Sequence, residues 1–229
     1  MNNPIAPLST YQKEFIDFLV ETEVLTFGDF VTKSGRKTPY FVNTGRFHHG
    51  SHISRLGQFY AAHIKKIGLS DVQTVFGPAY KGIPLCVTTA LSMYERYQLD
   101  VGFCFNRKEE KTHGDRGNYV GAPLRSGDPV LIIEDVITAG ITLRATLKQL
   151  KEDTQVDVRG VIIAVDRCER GETDRSAAEE IEKDLGTPIY PLVTIHEIIE
   201  YLSQPNTSGF TLSQDSIQRM QQYLSEYGA

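Results

Sequence analysis

Apolar residues along this chain fall into two patterns that alternate. Tyr11, Phe15, Phe18 and Leu19 share one face at helical spacing, with Ser9 or Thr10 placed to cap it. Ile53, Leu56, Phe59, Tyr60, Ile64 and Ile67 repeat that spacing in a second amphipathic helix. After them come short strand-like segments at Val72–Phe76, Val101–Phe105, Val130–Ile133 and Val158–Val165, of which Val130–Ile133 is apolar without polar alternation. Runs of this kind predict strands buried on both faces. Their alternation with helical patterns predicts an α/β fold, a mostly parallel central sheet flanked by helices. Glu179–Leu185, Ile189–Val193 and a last helix from about Leu212 to Tyr227 complete the series. Ahead of the sheet, Phe27–Thr32 and Pro39–Asn43 flank the turn-rich Ser34-Gly35-Arg36-Lys37, which predicts an antiparallel hairpin.

The run Val130–Ile133 passes into Glu134-Asp135, then Val136-Ile137-Thr138-Ala139-Gly140-Ile141-Thr142, then Leu143, Leu147 and Leu150 at helical spacing. Open α/β sheets bind ligands at the carboxyl ends of their strands. Thr138 to Thr142 would be the turn into a helix N-terminus, where free N–H groups and the helix dipole suit a phosphate. Gly140 permits close backbone approach, and the hydroxyls of Thr138 and Thr142 can donate to phosphate oxygens. The acid pair cannot bind phosphate itself and suits ribose hydroxyls or a Mg²⁺-bound sugar pyrophosphate. No lysine ends the turn as a Walker loop requires, and its single glycine does not make a dinucleotide fingerprint. An ordinary strand-to-helix turn with surface acids is the competing reading.

Three other segments bear charge near predicted strand ends. Tyr80-Lys81-Gly82 follows Val72–Phe76, with Pro84 where the first turn of a helix tolerates it. Asn106 to Gly121 intersperses Arg107, Lys108, Lys111, His113 and Arg116 with Gly114, Gly117 and Gly121, too polar for a core and too glycine-rich for a stable helix. By itself it reads equally well as a solvated charged loop. Arg167 follows Val165-Asp166 at the same rim and could grip a carboxylate as a fork. Locally, an ion pair with Glu169 or Glu172 competes for it.

Leu131 to Thr142 resembles the phosphoribosyl-pyrophosphate (PRPP) motif of type I phosphoribosyltransferases. Lys33-Ser34-Gly35-Arg36-Lys37-Thr38-Pro39-Tyr40-Phe41, Phe76 to Pro84 and Phe105 to Gly114 narrow the resemblance to the orotate phosphoribosyltransferase family in its short bacterial form, from about Tyr11 onward. The resemblance implies transfer of the 5-phosphoribosyl group from PRPP to orotate, giving orotidine 5′-monophosphate and pyrophosphate, a step of UMP synthesis. Mg²⁺ would be held mainly through PRPP and water, with no protein metal ligand. It implies a single domain over 1–229 with a small N-terminal hood mainly in 1–50. Pyrophosphate leaves as positive charge develops on the ribose, so the site needs electrostatic positioning more than a nucleophile.

Residue by residue, the resemblance places PRPP against Lys33, Ala79, Tyr80, Lys81, Arg107, Lys108, Lys111, His113 and the run Glu134, Asp135, Val136, Ile137, Thr138, Ala139, Gly140, Ile141 and Thr142. It places orotate against Lys33, Phe41, Val42, Thr138 and Arg167, and catalysis on Lys111, His113, Glu134 and Asp135. Asn106–Gly121 would be a lid closing over the neighbouring subunit's site in a homodimer, excluding water from an activated sugar. Two departures stand out. Gly114-Asp115-Arg116-Gly117 replaces one glycine of the family's usual lid with Arg116, which predicts a stiffer, more cationic lid. Glu134 stands where aspartate is often found, keeping the charge and moving it by one methylene.

Composition narrows the alternatives. A net charge of −5 argues against a nucleic-acid binder, and the clustered cations suit a small anionic ligand. Cys86, Cys104 and Cys168 show no metal or disulfide spacing, which with a plain N-terminus points to the cytoplasm. No apolar run approaches the ~20 residues of a membrane span. His48, His49 and His52 read as loop residues, since nothing completes a ligand set. A purine-salvage relative is disfavoured by Lys33 and Asp166-Arg167. A PRPP-sensing regulator is disfavoured by the retained lid cations and the lack of a basic extension.

Overall fold

The protein is described here by a computed structural model covering residues 7–32, 35–108, 118–137, 140–171 and 173–229. A six-stranded sheet runs in the order β5 (Tyr119–Gly121), β4 (Gly102–Asn106), β3 (Thr74–Phe76), β6 (Pro129–Val136), β7 (Asp157–Asp166) and β8 (Ile189–Thr194). Neighbours are parallel except β5, which is antiparallel to β4. The mostly parallel α/β architecture expected from the apolar runs is therefore present.

Alternation along the central strands feeds two cores. Leu131 and Ile133 of β6, with Ile162 and Ala164 of β7, pack against α1 (Thr10–Glu21), α2 (Gly50–Lys66), α3 (Gly82–Tyr97), α6 (Ile195–Leu202) and α7 (Gln214–Tyr227). Val130 and Ile132, with Val161 and Ile163, pack against α4 (Ile141–Thr154) and α5 (Ala177–Leu185). All four β6 side chains are fully buried. Each such burial is worth roughly 1.5–3 kcal/mol, so β6 is held firmly from both sides.

The predicted hairpin is present as β1 (Leu25–Val31) and β2 (Lys37–Val42), antiparallel and separate from the main sheet, with a bulge between Phe27 and Phe30. Residues far down the chain complete this small layer. Tyr223 of α7 meets Tyr40 edge-on at 5.9 Å, and Phe210 stacks on Phe27 at 5.5 Å. Ser9 caps α1, with Gln12 Oε1 accepting the Ser9 N–H at 3.2 Å and its hydroxyl at 2.7 Å.

Several boundaries differ from expectation. β6 continues through Glu134 and Asp135 to Val136, because the ladder with β7 persists to Val136↔Val165. The acids thus belong to the strand's last residues. β3 begins at Thr74, later than the apolar run from Val72. β5 and α6 were not anticipated; α6 has a capping box of Thr194 and Glu197 and a buried face of Ile195, Ile198, Ile199 and Leu202. His52 lies in the first turn of α2, while His48 and His49 precede the helix, His49 with extended backbone and no side-chain cap hydrogen bond. Burial pushes the Cys86 thiol up to about 12 and Cys104 up to about 11, as suits packing residues.

Candidate active site

The carboxyl ends of β3 and β6 open into a cleft of about 510 Å³. Pro78, Ala79, Tyr80 and Lys81 wall one side; Glu134, Asp135, Val136, Ile137, Gly140, Ile141, Thr142 and Leu143 wall the other, and Lys108 lies at the edge. Most of the residues that the PRPP resemblance selected are gathered here.

The wall from Gly77 to Gly82 is a tight loop in which the chain nearly touches itself. A Cβ on Gly77 would lie 2.0 Å from the Gly82 carbonyl oxygen. The Gly82 N–H donates to the Pro78 carbonyl at 2.9 Å, and the Ala79 N–H donates to Asn106 Oδ1 at 2.8 Å. The Ala79–Tyr80 peptide is cis. The close main-chain contact and the two hydrogen bonds hold the loop that presents Lys81 to the opposite wall; Tyr80 is 65 % exposed, with Lys108 Nζ 5.0 Å from its ring centroid.

Lys81 Nζ donates to Asp135 Oδ2 at 2.9 Å and to Thr44 Oγ1 at 3.2 Å. Thr44 also donates to that same Asp135 oxygen, while Asp135 Oδ1 accepts from the Val136 N–H at 2.8 Å. Burial pushes the Asp135 carboxyl up, but the Thr44 and Lys81 hydrogen bonds and the lysine charge outweigh it and hold the group below the ordinary range. Glu134 lacks such support. Burial, reinforced by the Asp135 charge, pushes its carboxyl up to about 8. Tyr60 of α2 donates to the Glu134 main-chain carbonyl at 2.7 Å, locking the strand end to the helix beneath it. Neither Thr44 nor Tyr60 had been singled out for the site. Thr44 lies in no motif, and Tyr60 reads only as part of an apolar helix face.

On the α4 side, Gly140 is the residue before the helix, with φ 69°. A Cβ there would meet Ile181 Cδ1 at 2.5 Å, so both conformation and space call for glycine. Ile141 and Thr142 follow in the first turn, whose free N–H groups form an anion site. Arg107 is tied by its main-chain N–H to the Asn118 carbonyl at 2.7 Å. Its buried side-chain Nε has no acceptor among the described residues. Lys33, Lys111, His113, Thr138 and Ala139 lie outside the described residues.

Of the residues selected for orotate, Phe41, Val42 and Arg167 do not line the cleft. Phe41 stacks on Phe30 at 5.6 Å, and Val42 ends β2. Arg167 takes the local partner that competed for it: its Nε and Nη2 donate to Glu169 Oε1 at 2.9 and 2.5 Å, and its guanidinium lies 4.7 Å from the Tyr40 ring centroid.

Residues 49–187 match the phosphoribosyl transferase domain family. Over 223 residues the chain is 50 % identical to an orotate phosphoribosyltransferase of Clostridium beijerinckii, covering 97 % of this chain and 100 % of that one. An orotate phosphoribosyltransferase of Vibrio parahaemolyticus is 41 % identical, covering 96 % of this chain and 100 % of the other. The crystal structure of orotate phosphoribosyltransferase from Francisella tularensis superposes with a TM-score of 0.82 at 34 % identity, covering 94 % of this chain and 100 % of that one. The chain belongs to the phosphoribosyl transferase domain family and, within it, to the orotate phosphoribosyltransferases.

Proposed function

We propose that this protein transfers the 5-phosphoribosyl group of PRPP to orotate, releasing pyrophosphate and forming orotidine 5′-monophosphate. The carrying observation is the single cleft in which an anion-binding helix start, a buried aspartate and the Lys81 ammonium face one another. The 5′-phosphate fits the first turn of α4, the ribose hydroxyls fit the Glu134–Asp135 carboxyls, and the pyrophosphate fits Lys81, Lys108 and Arg107. Orotate nitrogen forms the new bond to the ribose C1 as the C1–pyrophosphate bond breaks. Fixed dipoles and charges stabilise the oxocarbenium-like state between them. Lys33, Phe41, Val42, Thr138 and Arg167 hold orotate, and Lys111 and His113 meet the leaving pyrophosphate from a lid between β4 and β5, shorter than 106–121 because Asn106 ends one strand and Tyr119–Gly121 form the other.

The donor set of the cleft fits Mg²⁺, which takes oxygen from one or two carboxylates together with substrate phosphates and water. PRPP and water would supply most of those oxygens, and the Glu134–Asp135 carboxyls would meet the ribose hydroxyls beside the ion. The bound ion would neutralise charge on the departing pyrophosphate.

A homodimer with lids shared between subunits is part of the same reading. α3 supports it by presenting Val87, Leu91 and Tyr94, exposed by 38, 54 and 53 %, along one helical face. Residues 1–229 would act as one domain. Free thiols at Cys86, Cys104 and Cys168 suit a reducing cytoplasm.

The test follows the loss of orotate absorbance with PRPP and Mg²⁺, for wild type and Lys111→Ala, with uracil, adenine and hypoxanthine as substitute bases. PRPP-dependent loss of orotate that collapses in the variant is expected. Turnover of another base alone, or PRPP binding without turnover, would overturn the assignment.

A further inference from the structure

Glu169 joins three separate parts of the chain. Its Oε1 accepts from Arg167 Nε at 2.9 Å and Nη2 at 2.5 Å, from Tyr40 Oη at 2.9 Å and from Tyr223 Oη at 2.9 Å. Its Oε2 accepts from Arg36 Nη1 at 3.2 Å. The donors thus come from the hairpin, from α7 and from the segment just after β7. The side chains of Arg167 and Glu169 are only 14 and 17 % exposed. The main chain around them is pinned as well: the Arg170 N–H donates to the Tyr227 carbonyl at 2.8 Å and the Ala229 N–H to the Cys168 carbonyl at 2.9 Å. Between the charged pair, Cys168 turns the chain with φ 49°, a conformation rare outside glycine.

A guanidinium carries five N–H donors in one rigid plane. Tyr40 fixes that plane through the ring contact, and Glu169 fixes its rotation by taking the Nε edge. Of the three hydrogens left over, one on Nη1 and one on Nη2 lie side by side on the end-on edge. Two parallel N–H groups on that edge match the two oxygens of a carboxylate. An arginine already held this way loses little side-chain freedom when its ligand arrives.

We infer that Glu169 is a positioning residue for substrate selection, holding Arg167 so that its end-on edge meets the carboxylate of a pyrimidine carboxylic acid. This rests on the assignment of Arg167 to orotate above. Glu169 touches no substrate; it acts through Arg167. The sugar-phosphate cleft, built from β3, β6 and α4, does not use this cluster, so the effect is confined to the base.

Steady-state kinetics of wild type, Arg167→Ala and Glu169→Gln, together with thermal midpoints, test the inference. Glu169→Gln is expected to raise the orotate KM about tenfold, as for loss of one charge-assisted hydrogen bond, while the PRPP KM stays within about twofold. Arg167→Ala is expected to raise the orotate KM further. An unchanged orotate KM in Glu169→Gln beside a raised one in Arg167→Ala would overturn the positioning role and leave the function standing. An unchanged orotate KM in Arg167→Ala would instead overturn the assignment on which it rests. Parallel rises of both KM values with a lowered midpoint would make Glu169 merely structural and overturn the inference. Should Glu169→Gln fail to fold, Glu169→Asp, which keeps the charge and shortens the reach, must show the same orotate-selective rise or the inference fails.

Discussion

Glu134 and Asp135 are neighbours at the end of β6, both largely buried, and their carboxyls are displaced in opposite directions. Asp135 enters the cleft as a charged acceptor already held by Thr44 and Lys81, whereas Glu134 holds its proton up to about 8. Two adjacent acids therefore offer one charge at neutral pH, which limits their mutual repulsion while no ligand cation is present.

This asymmetry fixes a pH dependence of stability. A carboxyl raised from 4.5 to about 8 in the fold keeps a proton that the unfolded chain has lost, so stability falls as pH rises through that interval. Glu134→Gln removes the titration. Its thermal midpoint should exceed that of wild type above about pH 8, with the gap closing toward about pH 5. Asp135 is displaced downward, so its contribution is present above 3.8 and is lost only in acid as pH falls through its folded value. It leaves the Glu134 window undisturbed. A pH-independent gap between wild type and variant would contradict the assignment.

Lys81 joins the two walls of the cleft, yet its side chain is 65 % exposed. Lys81→Ala should therefore cost stability by no more than about 1 kcal/mol. Its effect on function should be larger. Loss of a charged donor to pyrophosphate should raise the PRPP KM by about tenfold or more, read by initial rates at saturating orotate. A large fall in thermal midpoint with an unchanged PRPP KM would show a purely structural lysine.

Gly77→Ala tests the loop that presents Lys81. The added Cβ would lie 2.0 Å from the Gly82 carbonyl oxygen, a main-chain atom that no rotamer change can move. We expect a loss of roughly 1–3 kcal/mol in denaturant unfolding, with weaker PRPP binding because the loop must shift. Gly35→Ala is the comparison, since a Cβ there meets nothing within 4 Å and only its φ of 81° is strained.

Leu91→Asp tests the dimer. The substitution places a charge in the middle of the exposed Val87–Leu91–Tyr94 face of α3, where it cannot disturb a buried side chain. Sedimentation velocity should show the variant shifted to monomer with its thermal unfolding still cooperative, and activity should fall if lids are shared. A variant that remains dimeric would place the interface elsewhere.

Much of this architecture was legible because burial on both faces leaves a plain signature. Val130–Ile133 and Val161–Val165 contain no polar residue, and both lie in central strands. The strand limits were less legible: nothing in the letters Glu134-Asp135 announces that the ladder with β7 continues past them. β5 is only Tyr119–Gly121 within a polar, glycine-rich stretch, and its pairing partner is what makes it a strand. α6 did leave a signal, the Thr194–Glu197 capping box before an apolar stripe, which was passed over. Thr44 was hidden for a different reason: its importance lies in a contact with Asp135 in three dimensions, and it belongs to no periodic pattern. Glu169 was legible only as a local partner for Arg167, because its bonds to Tyr40 and Tyr223 cross the fold.

Because Leu131 and Ile133 are embedded in one core and Val130 and Ile132 in the other, the acid pair is mounted on a strand that neither core can release alone. Both cores would have to yield before the two carboxyls could change place, so the strand end is a fixed reference for the rest of the cleft.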